Sequence, residues 1–204
     1  MNKRTLLPAC LIALFAWHSQ GSAAPDPWAE SYRLASLGNY AGAAAQLDGF
    51  VRQDNEFAML RNAYMLYMQG RFKDSVAAYQ RVLELNPDSI DALLGIVTPL
   101  MAQLKWSEAT GYANKVLDMS KWHYTAHAQL LVIQEAEKKW KDLADHAKAL
   151  SKRYPSDATT WVYLARAHAW LGNVPAAVEA YRQVLPIVPG HIEATKYIEV
   201  KAPK

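Results

Sequence analysis

The sequence predicts an all-α fold, a solenoid of five helical hairpins closed by a C-terminal capping helix. Three observations predict it. A pattern recurs about every 34 residues, small and bulky residues stand at fixed offsets within it, and helix-start signals follow each break with no strand-like alternation between residues 25 and 200.

The first 24 residues stand apart from this pattern. Lys3 and Arg4 make a basic start, Leu6 to Trp17 form an apolar run, and Gly21-Ser22-Ala23-Ala24 supply small residues before Pro25-Asp26. That is the arrangement of a secretory signal peptide, residues 1–23, expected to be cleaved after Ala23 or Ala24 and to leave the working protein in the periplasm. A helix over Leu6 to Trp17 rises only ~18 Å against a hydrocarbon core of ~30 Å, so a spanning anchor is not expected. Cys10, the only cysteine, falls in the same segment, and apolar packing rather than disulfides must stabilise the rest. Without residues 1–23 the chain has 181 residues with 20 basic and 19 acidic side chains. A net charge of +1 offers no cationic surface of the kind that binds nucleic acid.

The repeats are marked by Gly38, Gly70, Leu104, Lys138 and Gly172, separated by 32, 34, 34 and 34 residues. Two residues after each marker comes Tyr40, Phe72, Trp106, Trp140 or Val174. Five after it come Ala43, Ser75, Ala109, Leu143 and Ala177, and nine after it Leu47, Tyr79, Ala113, Ala147 and Tyr181. Twelve after it come Phe50, Val82, Val116, Leu150 and Val184. Pro87, Pro155 and Pro189 close three repeats, with Asn55 and Lys121 at the same place in the other two. Small residues let two antiparallel helices approach, and bulky ones fill the gap to the next pair, so no repeat buries its face alone. Asp26-Pro27 reads as an N-cap with proline in the first turn, and Asp88 after Pro87 and Ser156 after Pro155 repeat the device.

This period and pattern resemble the tetratricopeptide repeat, most clearly in the last copy, where Trp161, Leu164, Ala165, Gly172, Ala177, Tyr181, Val184 and Pro189 stand at the signature spacings. The resemblance implies a right-handed α-α superhelix in one domain, residues 24–200. Its repeats would cover about 24–55, 56–89, 90–123, 124–157 and 158–191, with a cap at 192–200.

No residue set points to catalysis or to a cofactor. There is no glycine-rich phosphate loop, no thiol after residue 10 and no serine elbow, and Glu135 and Glu137 stand two apart on a helix, pointing different ways. An enzyme is therefore not expected. His123 and His127 share a helix face, but a zinc site needs a third ligand, and His127 falls on a packing position. No metal is expected there, and His146 and His191 have no evident partner.

In tetratricopeptide proteins the first helix of each hairpin lines a concave groove that takes peptides or helices. By that resemblance the partner-binding residues are Trp28 and Tyr32 in repeat 1; Leu60, Arg61, Tyr64, Tyr67 and Met68 in repeat 2; Thr98 and Met101 in repeat 3; and Arg166 in repeat 5. The segment Phe57 to Met68 is apolar on nearly every side, although one buried face needs only one stripe. With Met59, Ala63 and Leu66 assigned to packing, Leu60, Tyr64, Tyr67 and Met68 are surplus apolar surface of the kind that marks an interaction site. The two-carboxylate clamp of some cytosolic co-chaperones in the family is absent, since Trp28 and Tyr32 stand where it needs Lys and Asn. Charge is uneven along the chain: residues 24–104 carry 6 basic and 9 acidic groups, residues 105–153 carry 9 and 6. The expected function is a scaffold or adaptor holding a segment of an envelope protein. The alternative is a chaperone-like holder of many apolar peptides.

Overall fold

The computed structural model describes residues 26–202, and every regular element among them is a helix. The signal segment and its cleavage site lie outside the described residues. The chain runs α1 (Pro27–Ser36), α2 (Tyr40–Ala45), α3 (Asp48–Val51), α4 (Glu56–Met68), α5 (Phe72–Leu85), α6 (Ile90–Gly95), α7 (Val97–Ala102) and α8 (Trp106–Met119). It continues with α9 (Tyr124–Ala136), α10 (Trp140–Arg153), α11 (Ala158–Trp170), α12 (Val174–Val184) and α13 (Ile192–Lys201). These form five antiparallel hairpins, α1 with α2 and α3, α4 with α5, α6 and α7 with α8, α9 with α10, and α11 with α12. Helix α13 packs on the last of them.

Helix starts follow the capping logic of the sequence, except that after Pro87 and Pro155 the cap stands one residue later than Asp88 and Ser156: Ser89 accepts from the Ala92 amide, and Asp157 caps α11. Asp26 accepts hydrogen bonds from the Trp28 and Ala29 amides ahead of Pro27, Asn55 accepts from Ala58, and Asp157 accepts from Thr159 and Thr160. The His191 ring caps α13 by accepting from the Ala194 amide, which gives that histidine a structural partner.

All five marker residues have left-handed backbone: Gly38 (φ 76°), Gly70 (74°) and Gly172 (75°), but also Leu104 (58°) and Lys138 (58°). Each turn closes alike, with the next residue's amide donating back five residues: Asn39 to Leu34, Arg71 to Leu66, Lys105 to Leu100, Lys139 to Gln134 and Asn173 to His168, all at 2.9–3.0 Å. This is the closure that ends a helix at a left-handed residue. Glycine takes that conformation freely, whereas a side chain there costs on the order of 1–2 kcal/mol.

Two helices are broken. Pro99 has no amide to offer the Gly95 carbonyl and its ring crowds that carbonyl, so the first helix of repeat 3 divides at Ile96 into α6 and α7. The second helix of repeat 1, which carries Gly42 and Gly49, divides at Gln46–Leu47.

Packing follows the offsets from the marker. Ala43, Ser75, Ala109, Leu143 and Ala177 are all fully buried, as are Val82, Val116, Leu150 and Val184 at the later offset. Phe50 is the exception, half-buried against Trp28 at a ring separation of 5.6 Å, because no earlier hairpin covers repeat 1. In α4 it is Met65 that is fully buried, while Leu66 is half-buried.

Because Lys138 sits in left-handed backbone with an exposed side chain, Lys138→Gly should raise the unfolding free energy by about 0.5–1 kcal/mol, the relief of strain exceeding the added unfolded-state entropy. A denaturant midpoint that falls instead would assign Lys138 a packing role.

Candidate functional site

The first helices α1, α4, α6–α7, α9 and α11 lie side by side and present one face each to the groove. Helix α4 carries its surplus apolar residues there. Tyr64 is 47% exposed and stacks on Tyr67 at 6.3 Å between ring centroids, and Tyr67 in turn leans on Phe72 at 5.7 Å. Leu60, Met68 and Met101 are half-buried, with Leu60 and Met101 packed against the central core, so they offer less free surface than the tyrosines.

Tyr64 and Tyr67 form one wall of a pocket of about 260 Å3 completed by Tyr79, Leu94, Gly95, Thr98 and Gln129. Helices of three consecutive repeats thus converge on one space. The Tyr79 ring reaches it from α5 only because Gly95 has no side chain, since a Cβ there would penetrate the ring. A glycine inside a helix costs roughly 1 kcal/mol, and here it admits an aromatic ring to the pocket wall. Burial, and secondarily Tyr64, pushes the Tyr79 hydroxyl up to about 12, so it stays protonated at neutral pH. Gln129 donates to the Leu94 carbonyl at 3.0 Å, and its own side-chain oxygen is buried without a hydrogen-bond partner.

On the other side of α4, Arg61 turns towards α1. Its Nε donates to Ser31 Oγ at 2.7 Å, and its guanidinium lies 3.7 Å from the centre of the Tyr32 ring. Tyr32 is otherwise 61% exposed, and Trp28 is half-buried on Phe50.

Arg166 is differently placed. It forms a two-pronged pair with Glu193 of α13 (2.8 and 2.7 Å) and reaches Glu135 of α9 at 3.3 Å. Tyr181 donates to the same Glu193 at 2.6 Å. Glu193 is held below the usual carboxylate range by Arg166, and burial raises Tyr181. Arg166 therefore locks the capping helix to the groove wall.

Of the ten residues read from the sequence as groove-lining, Leu60, Met68 and Met101 are half-buried, and the other seven separate into three groups. Tyr64, Tyr67 and Thr98 meet in the pocket, Trp28, Tyr32 and Arg61 form the neighbouring seam, and Arg166 belongs to a distant ion-pair network. Tyr79 was read from the sequence only as a packing position, and Gly95 was not singled out. A glycine in repeat 3 at the register of Arg61 in repeat 2 and Gln129 in repeat 4 is the one signal that could have pointed to an opening.

His127 is buried, and it has the partner that the sequence did not reveal. Its Nε2 contacts the Lys121 carbonyl at 3.0 Å and its Nδ1 meets His146 Nε2 at 2.8 Å. With His127 Nε2–H donating to the carbonyl, Nδ1 accepts and His146 Nε2–H donates. His146 Nδ1 is then an acceptor facing the Gln134 side chain, placed with Oε1 at 2.9 Å, and this tautomer requires the Gln134 amide to be turned so that its NH2 donates. Burial lowers both histidines, His146 to about 4, with His127 adding to the effect. Among the described residues no three His, Cys, Asp or Glu side chains stand close enough to hold a metal ion. Nor is any described helix long and apolar enough to cross a membrane.

Stacked antiparallel hairpins lining a groove define a helical-repeat solenoid. The tetratricopeptide repeat model matches residues 29–90 and 133–192, more than half of the chain, and the chain belongs to that family. The unmatched stretch contains Pro99 and Leu104, where repeat 3 departs from the pattern while keeping its hairpin. Solved structures of similar fold include MamA from Desulfovibrio magneticus RS-1 (TM-score 0.69, 15% identity, 79% of this chain and 93% of that one). Others are YrrB, described as a TPR protein with an unusual peptide-binding site (0.67, 16%, 85% and 90%), and a thermophilic TPR protein of Thermus thermophilus, TTC0263 (0.62, 12%, 85% and 96%). At such identities the likeness is one of fold. No curated protein sequence matches the chain. The fold is that of the tetratricopeptide-repeat scaffolds, a family whose members bind proteins or peptides.

The histidine pair gives a pH dependence whose sign is fixed. Their folded values lie below the ordinary 6.5, so the unfolded chain binds protons that the folded chain refuses. Stability should be full above about pH 6.5 and fall by about 1–2 kcal/mol towards pH 4.5 from this pair. Denaturant unfolding of the wild type and of His127→Gln with His146→Gln across that range checks it. Identical pH slopes would mean that the pair does not carry the effect.

Proposed function

We propose that this chain is an exported scaffold of the bacterial envelope, acting in the periplasm by binding and not by catalysis. It holds a segment of an envelope protein in its groove, with Tyr64 and Tyr67 as the anchors. The observation that carries this reading is the pocket shared by three consecutive repeats, walled by aromatic surface that the solenoid core does not use. Export is supported by the basic, apolar and small-residue order of residues 1–24. Buried aromatics commonly dominate interfaces and cost about 2 kcal/mol or more when truncated.

Tyr64→Ala with Tyr67→Ala should abolish partner capture from envelope extracts while leaving helicity and melting temperature nearly intact. One partner recovered in fixed ratio with the wild type is the expected result, and a mixture of unrelated proteins would favour the chaperone-like holder. Unaltered capture by the folded double variant would place the interface elsewhere. The exported product should begin at Ala24 or Pro25 by intact mass, and a product retaining Met1 in the membrane pellet would overturn the periplasmic assignment.

A further inference from the structure

Among the described residues the two groove arginines are matched differently. Arg166 pairs with two carboxylates, Glu135 and Glu193. Arg61, the other groove arginine, pairs with none of the described carboxylates. Its charge is held by Ser31 Oγ and the face of Tyr32, and its Nη2 is buried without a hydrogen-bond partner. A hydroxyl and an aromatic face position a guanidinium but leave its charge uncompensated, and a carboxylate that fits the fork is the strong complement. One repeat further on, the Gln129 side-chain oxygen is buried without a donor in the wall of the tyrosine pocket. The groove between α1 and α9 thus lacks one anion, one apolar side chain and one hydrogen-bond donor.

We infer that the segment bound here, on the reading of the groove given above, carries an Asp or Glu side chain that pairs with Arg61. Roughly three residues away it carries a bulky apolar side chain that fills the Tyr64–Tyr67 pocket. The spacing follows from the fold. Arg61 leans to the α1–α4 seam and the pocket lies at the α4–α6 seam, and neighbouring helices pack roughly 8–10 Å apart. An extended chain covers ~3.3 Å per residue, so about three residues link the two seams. An indole N–H, or a backbone amide beside the apolar residue, supplies the donor that Gln129 lacks. This is recognition of one side-chain carboxylate within a segment, and it needs no free chain terminus.

The test is selection from a random 12-residue peptide library displayed by fusion at the peptides' C-terminal end, which leaves no free C-terminus. The baits are the wild type, Arg61→Gln, and Tyr64→Ala with Tyr67→Ala. Wild-type clones should be enriched at least about threefold in Asp or Glu within two to four residues of a bulky apolar residue, and Arg61→Gln clones should lose only the acidic excess. For the best synthetic clone, changing its acid to the amide should weaken wild-type binding about tenfold, the scale of a hydrogen bond to a charged group. The same peptide change should have no effect on Arg61→Gln, and the wild-type affinity alone should fall as salt is raised. The peptide-side change tests the pairing even if Arg61→Gln folds poorly. Clones that depend on Tyr64 and Tyr67 but show no acidic excess, or an amide change felt equally by both proteins, would overturn the Arg61 pairing alone. A library with no clone dependent on Tyr64 and Tyr67 would overturn the groove reading and this inference with it.

Discussion

The left-handed residue at the hairpin turn is the constraint on which the rest of the structure depends. It reverses the chain after each first helix and sets the register that brings the residue five positions later against its partner helix. All five turns obey it, including the two in which Leu104 and Lys138 take a conformation that suits glycine. The same five-residue backbone closure in every turn shows why the strain is accepted. Without the reversal the next helix could not pack back, and the buried row Ala43, Ser75, Ala109, Leu143 and Ala177 would lose its partners. A strained turn costing on the order of 1–2 kcal/mol is offset by the burial of a whole hairpin face.

From that repeated reversal comes a groove whose two ends differ in chemistry. Towards the C-terminus the wall satisfies itself, as Arg166, Glu135, Glu193 and Tyr181 close a network that fastens α13 to α11 and α12. Towards the N-terminus the wall has stacked tyrosines, a glycine-floored pocket and an arginine that no carboxylate among the described residues meets. The same hairpin repeated along the chain therefore supports one end closed by its own ion pairs and one end where, among the described residues, the groove arginine meets no carboxylate. The buried histidine pair adds a third element. By tying the Lys121 carbonyl to α10 through His127 and His146, it secures the link between repeats 3 and 4, and Tyr154 donating to the Trp122 carbonyl at 2.6 Å reinforces it.

Much of this was legible in the sequence because repeat folds write local rules many times over. Marker residues and offsets each appear five times, so a departure such as Leu104 for glycine does not obscure the period. Tyr64 and Tyr67 were legible too, as apolar residues beyond what one buried stripe requires. The division of α6 from α7 is local chemistry at Pro99, although the period alone treats the two as one helix.

Spacing along one chain and backbone preference were enough to give the hairpin period, the number of hairpins and the aromatic surplus on α4. The tertiary structure alone decided which side chains of different helices meet. His146 lies 19 residues from His127, Glu193 lies 27 from Arg166, and Ser31 lies 30 from Arg61. The period places each of these residues on its helix but does not pair them. Whether they touch depends on rotamer and on the superhelical offset of one hairpin against the next. That offset leaves Arg61 without a carboxylate among the described residues, while Arg166 is closed by Glu135 and Glu193.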